Sequence, residues 1–215
     1  MIEERSGHIS LSVFQTAIEN LYDMLTCFSD STAQWSMENY PGYEYSELVC
    51  HRFESPVPST PHVDGSCSSA DGLKLEYRIS YSVAYEVPIL MMRIQNFSGR
   101  PLSIELLKKR FIRSIFQSTK NHYVALEAGF SQVEHPYLGI PYYQFHPCRT
   151  AGLMRQALSV ENAISEISGV KYLILWLSLI ATPAGLMLPN DFAAHNFESD
   201  SNTMIRLTFG DHVRI

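Results

Sequence analysis

The chain opens on a helical period. Between residues 9 and 28, Phe14, Ile18, Leu21, Leu25 and Phe28 recur at helical spacing, with Gln15, Glu19 and Asp23 elsewhere around the wheel. That spacing predicts an amphipathic helix capped by Ser10 or Ser12. From Trp35 to Phe53 aromatic and polar residues mix, as in short strands joined by a turn at Pro41-Gly42. Next, Leu73, Leu75, Tyr77, Ile79 and Tyr81 alternate with Lys74, Glu76, Arg78 and Ser80, which predicts a strand with one wet face. Past a turn at Ala84 to Glu86, the run VPILMMRI is apolar on both faces and reads as a central strand. Pro88 stands near its start, where a lost amide is tolerable.

The second half is more punctuated. NFSGRPLS supplies a turn, and Ser103 caps a helix that carries Ile104, Leu107, Phe111 and Ile115 inward. Residues 123 to 134 fit neither period clearly. PYYQF is a short extended run, followed by His146-Pro147-Cys148, and Thr150 can cap a helix from about Ala151 to Leu158. Residues 172 to 188, YLILWLSLIATPAGLML, form an uncharged apolar run. A spanning helix needs about 20 such residues. Thr182, Pro183 and Gly185 break the second half of this one, so it predicts a buried core helix ending near Ala181. A helix, then strands, then helices make an α+β fold.

Composition narrows this picture in three places. Hydrophobic residues make up 46% of the 215 and charged residues 18%, enough apolar material for a real core. The net charge of −6 offers no basic field for a phosphate backbone, which argues against a nucleic-acid partner. Residues 54 to 72, ESPVPSTPHVDGSCSSADG, are crowded with proline, serine and glycine and read as a flexible insertion within one domain. The start, MIEERSGHIS, is acidic with no apolar stretch, which reads as no secretory signal. Cys27, Cys50, Cys67 and Cys148 lie far apart with no CxxC pair, as expected of reduced thiols in a cytoplasmic protein.

Candidate chemistry centres on Cys148. A thiol just before a helix start feels the positive end of the helix dipole, and Arg149 adds a cation; both favour thiolate. Pro147 fixes the backbone leading into it. A small buried hydrophobe is the competing reading of the same residue. His135 and His146 are near enough in sequence to serve a cysteine hydrolase, yet a satisfied structural histidine is the default for each. Cys50, His51, His62 and Cys67 could supply four zinc ligands, but their spacing matches no finger or ribbon. No phosphate loop or dinucleotide fingerprint appears, so no cofactor is expected. The cluster KKRFIR at Lys108 to Arg113 reads as a solvated helix face.

The segment HPYLGIPYYQFHPCRTAGLM, residues 135 to 154, resembles the catalytic segment of the E2-like conjugating enzymes of autophagy, the autophagy-related protein 10 family and, more distantly, the protein 3 family. In both, a His-Pro-x-Leu segment precedes a His-Pro-Cys whose cysteine carries a ubiquitin-like modifier as a thioester. YRISYSVAYEVPILMMRIQNFSGRPLS is similar to their strand pair, tyrosine turn and Arg-Pro-Leu helix entry. YLILWLSLIATPAGLMLP is similar to the Trp-Leu-Ser and Gly-Leu-x-Leu-Pro pattern of the protein 10 family. The likeness covers residues 73 to 189. The absence of a long acidic insertion and of a tyrosine-rich tail favours protein 10 over the lipid-conjugating protein 3.

The resemblance implies a variant ubiquitin-conjugating fold, an antiparallel sheet packed with helices, over residues 1 to 215 as one catalytic domain. It implies that Cys148 accepts modifier protein 12 from the activating enzyme, protein 7, and passes it to a lysine of protein 5. The alternatives are a protein 3-like lipid-conjugating enzyme and a non-catalytic binding scaffold. Ordinary ubiquitin-conjugating enzymes stabilise the oxyanion with an asparagine from His-Pro-Asn, and this chain has no such tripeptide. Tyr85 and His146 are the candidate donors, with a structural role open for either.

Overall fold

The computed structural model describes residues 7–27, 33–55, 72–107, 130–160, 167–188 and 192. Helix α1 (Leu11–Cys27) buries Phe14, Ala17, Ile18, Leu21 and Leu25 along one stripe. Ser10 is the cap: its Oγ accepts the Val13 amide at 3.4 Å. Strands β1 (Ala33–Glu38), β2 (Glu47–Glu54), β3 (Leu73–Ser82) and β4 (Val87–Asn96) follow, then the short helix α2 (Ile104–Leu107), before which Ser103 Oγ accepts the Leu106 amide at 3.4 Å. Leu107 is buried as expected, while Phe111, Ile115 and the Lys108–Arg113 cluster lie outside the described residues, as does most of the insertion at 54–72. Strands β5 (Phe130–Glu134) and β6 (Pro141–Phe145) lead into a 3₁₀ turn (Pro147–Arg149), α3 (Thr150–Val160) and α4 (Gly169–Ile180).

The six strands form one antiparallel sheet in the order β1-β2-β3-β4-β6-β5. The doubly apolar run of β4 therefore lies inside the sheet, as its pattern requires. Successive strand residues face opposite sides. Trp35, Cys50, Tyr77, Met92 and Tyr143 share one row and Val49, Arg78, Met91 and Gln144 the next. Helices α1 and α4 pack on each other over the Tyr77 face. The result is the α+β architecture read from the sequence.

The apolar run at 172 to 188 is core. Helix α4 buries Tyr172 to Leu177 without interruption, and Trp176 is 1% exposed. Its 12 residues are about 18 Å long, well short of a bilayer. Beyond it Gly185 takes φ +73°, and the Leu186 amide reaches back to Ala181 O at 2.9 Å while Gly185 N–H reaches Thr182 O at 3.0 Å. This is a glycine-based helix stop in the Schellman pattern. Among the described residues no helix is long and apolar enough to cross a membrane.

The polar side of β3 departs from expectation. Lys74 is exposed, but Arg78 and Ser80 are only 5% and 1% exposed. Side chains of neighbouring strands and of two loops cover them. Strand β6 pairs with β4 over only two residues, and the turn between β5 and β6 carries His135 across to Glu47 on β2. Arg78 donates through Nη1 to Glu38 Oε2 at 2.7 Å, Tyr40 Oη at 2.6 Å and Glu47 Oε2 at 3.3 Å. Its Nε reaches Glu76 Oε1 at 2.7 Å and Tyr142 Oη at 2.9 Å, and Ser80 donates to Glu47 Oε1 at 2.7 Å. Burial alone would lower the guanidinium pKa of Arg78; the Glu38 bond and the Glu76 charge outweigh it and raise it further. A buried charge is tolerable here because its donors are matched to acceptors.

Candidate active site

Strand β6 ends at Phe145, and Pro147 then starts a new turn. Proline has no amide to leave unbonded and its fixed φ suits the first position of a helical turn. His146 stays extended (φ −60°, ψ 128°), and its Nδ1 accepts the Cys148 amide at 3.1 Å. His146 is thus the N-cap. The expected cap, Thr150, is already helical (φ −61°, ψ −47°), and its amide bonds Pro147 O. The helical path starts four residues earlier than predicted because Pro147 and the imidazole together satisfy the first turn.

Cys148 is exposed at this strand-to-helix junction, beside exposed Arg149 and above buried Pro147. A buried structural thiol is what Cys50 is, fully inside the core; Cys148 is not of that kind. Cys27 is also exposed, but it is the last residue of α1, at the negative end of that helix.

Tyr85 arrives from a different part of the chain. Met91 pairs with Gln144, so the same ladder run toward the start of β4 carries the end of β6 to the β3–β4 turn. That turn holds Tyr85, which is 40% exposed. Its ring lies 5.4 Å from the His146 ring, at 80° to it. The three residues singled out in the sequence, Cys148, His146 and Tyr85, therefore form one surface cluster. The arrangement can offer an accessible sulfur with the His146 ring on its amide and the Tyr85 ring against that imidazole. The Cys148 amide is occupied by His146 and does not itself point to a group on the sulfur.

His135 belongs elsewhere. Fully buried, it accepts the Tyr137 and Leu138 amides on Nδ1 at 3.2 and 3.1 Å, which assigns the ring proton to Nε2, 2.9 Å from Glu47 Oε2. It is a satisfied structural histidine, the default expected of it. The zinc alternative loses its first pair: Cys50 and His51 are neighbours on β2 and face opposite sides of the sheet. His62 and Cys67 lie outside the described residues, among which no group of three or more metal-binding side chains occurs. Sequence reasoning missed the Arg78–Glu47–His135 network. Its one visible trace was a polar row on a strand next to a doubly apolar one.

The site thus holds a solvent-facing thiol at a capped strand–helix junction, with an imidazole on its amide and a tyrosine ring against that imidazole. The chain belongs to the family described as autophagocytosis-associated protein, active-site domain, which it matches over residues 14–191. It is 29% identical over 158 residues to the ubiquitin-like-conjugating enzyme ATG10 of Homo sapiens, covering 70% of this chain and 66% of that protein. To the proteins of the same name from Dictyostelium discoideum and Arabidopsis thaliana it is 31% and 32% identical, over 56% and 53% of this chain and 54% and 50% of theirs. The chain thus spans about half to two thirds of the length of these relatives. A crystal structure titled as the autophagic E2 Atg10 superposes with a TM-score of 0.46 at 16% identity, covering 84% of this chain and 99% of that one.

Proposed function

We propose that the chain is an E2-like transferase of autophagy that carries a ubiquitin-like modifier as a thioester on Cys148. The modifier is protein 12, received from the activating enzyme, protein 7, and passed to a lysine of protein 5. It works as a single cytoplasmic catalytic domain with an insertion at about 54–72. The observation that carries the reading is the exposed Cys148 on a turn capped by His146, in a chain of this family.

The chemistry follows from the thiol. In the first step the Cys148 thiolate attacks the modifier's thioester on the activating enzyme, and that enzyme's thiolate leaves. In the second a lysine amine attacks the new thioester carbonyl and an oxyanion forms. Its collapse expels the Cys148 thiolate, the isopeptide bond remains and the amine loses its proton. No ATP is needed at this step because the thioester is already activated. The protein has to orient the partners and donate to the oxyanion. With the Cys148 amide spent on His146, the Tyr85 hydroxyl and His146 Nε2 are the donors within this cluster.

Reconstitution with the activating enzyme, ATP and each modifier, read on a non-reducing gel, tests the reading. The wild type is expected to form a thiol-sensitive adduct with protein 12. Cys148→Ser is expected either to stay uncharged or to trap a reductant-resistant oxyester, since an alkoxide leaves far less readily than a thiolate. Transfer stops in both cases, while Cys27→Ser, Cys50→Ser and Cys67→Ser keep it. Undiminished conjugation by Cys148→Ser would falsify the assignment and leave a binding scaffold. Adduct formation with the lipid-conjugating pathway's modifier alone would move the chain to the protein 3 branch.

A further inference from the structure

Residues Gly7–Ile9 precede α1 and touch both elements that carry the site. The Ile9 amide donates to Glu86 O at 2.9 Å, one residue after Tyr85. Glu86 is the only non-glycine residue with positive φ among the described residues, at +49°. That conformation is costly for a residue with a side chain, and it persists where its surroundings hold it. On the other side, Gly7 lies against the first turn of α3. A Cβ on Gly7 would overlap the Ala151 carbonyl oxygen and come within 2.8 Å of the Arg155 nitrogen. Ala151 is three residues after Cys148. Gly7 also has φ +72°, a conformation glycine adopts freely.

The segment is itself anchored from below. Tyr172 of α4 donates to Gly7 O at 2.8 Å, and Tyr81 of β3 donates to Ile9 O at 2.8 Å. Burial pushes the Tyr81 hydroxyl up to about 12, so it stays a donor at any working pH. Ile9 is 1% exposed. Two buried tyrosines thus fix the height of a backbone segment that spans from the Tyr85 turn to the Cys148 helix.

We propose that Gly7–Ile9 is a positioning strap that sets where Tyr85 stands relative to Cys148 and His146. Gly7 is its critical residue, because nothing larger allows α3 to approach. The inference rests on the transfer reading above for its kinetic arm only. A misplacement of about 1 Å at a reacting centre can cost on the order of a hundredfold in rate.

The test uses the full chain with Gly7→Ala and the gentler Tyr172→Phe, which removes only the hydroxyl that holds Gly7 O. Both variants are first checked for cooperative melting. Discharge of preformed thioester to free lysine is expected to slow by roughly tenfold to a hundredfold in Gly7→Ala, and by less in Tyr172→Phe. In a Tyr85→Phe background the Gly7→Ala change is expected to add little, since strap and tyrosine act through one geometry. Slow-downs that simply multiply would overturn the proposal. A second readout needs no conjugation: the His146 ring-proton NMR signals feel the ring current of Tyr85 and are expected to shift in both strap variants toward their position in Tyr85→Leu. Unmoved His146 signals in folded Gly7→Ala and Tyr172→Phe would overturn the strap. A wild type that never charges with any modifier would overturn the transfer reading instead, and the NMR arm would still decide the strap. Should Gly7→Ala not fold, Tyr172→Phe decides both arms.

Discussion

Two His-Pro turns lie eleven residues apart in this chain, and the protein uses them differently. His135 and His146 each precede a proline, and each accepts the backbone amide two residues on through Nδ1. Locally they are the same device, a side-chain acceptor closing a turn that proline has already bent. The difference lies at the other ring nitrogen. In His135 it is buried on the Glu47 carboxylate, which in turn is tied to Ser80 and Arg78. In His146 it has no partner among the described residues, and the ring stands in solvent against Tyr85. One motif closes the fold and the other leaves a donor beside a thiol. A residue's chemistry is set by what its free end meets.

The largest expected effect tests that free end directly. His146→Asp keeps an acceptor for the Cys148 amide and removes the ring donor. Discharge of the Cys148 thioester is expected to fall by up to about 10²–10³-fold with folding intact, as for the loss of one oxyanion donor. Tyr85→Phe is expected to behave in the same way if its hydroxyl is the donor. Normal discharge in both would reduce His146 to a cap and Tyr85 to a packing ring.

Stability should show the reverse ranking. His135→Ala strips a hydrogen bond from a buried carboxylate and the buried acceptor of two turn amides, and is expected to cost about 2–3 kcal/mol in denaturant unfolding. His146→Ala removes an exposed cap and is expected to cost about 1 kcal/mol. Equal costs would break the contrast between the two turns.

The smallest effect is in the pH dependence of the network. Burial would raise the Glu38 pKa, but the hydrogen bonds from Tyr40 and Arg78 outweigh it and hold the carboxyl below its ordinary 4.5. A lowered folded-state pKa contributes stability that is present above the unfolded value and is lost as pH falls through the folded one. Acid unfolding below about pH 4.5 should therefore be slightly shallower in Glu38→Gln than in wild type. The effect is small because Glu38 keeps 33% of its side chain in solvent. An unchanged acid limb would remove Glu38 from the network's energetics.

Much of this molecule was legible in residue order, and for a physical reason. Apolar stripes placed α1 and β3, uninterrupted apolar runs placed β4 and α4, and PYYQF read as the short extended run of β6, because each segment's own pattern states what it has to hide. The Pro147-Cys148 junction was legible too, since proline dictates local backbone whatever surrounds it. Strand β5 was not: Phe130 and Val133 are three apart and keep no strand period, and edge pairing with β6 decided the element. Nor could the pattern tell that Arg78 and Ser80 are buried, because the partners that close over them lie 31 to 64 positions away in sequence. The meeting of Tyr85 with His146 and the parting of His135 from it belong to the same class. Sequence determines what each segment has to bury and where its backbone has to turn; which distant segment arrives to cover a polar face, or to stand beside a thiol, is decided only when the sheet assembles.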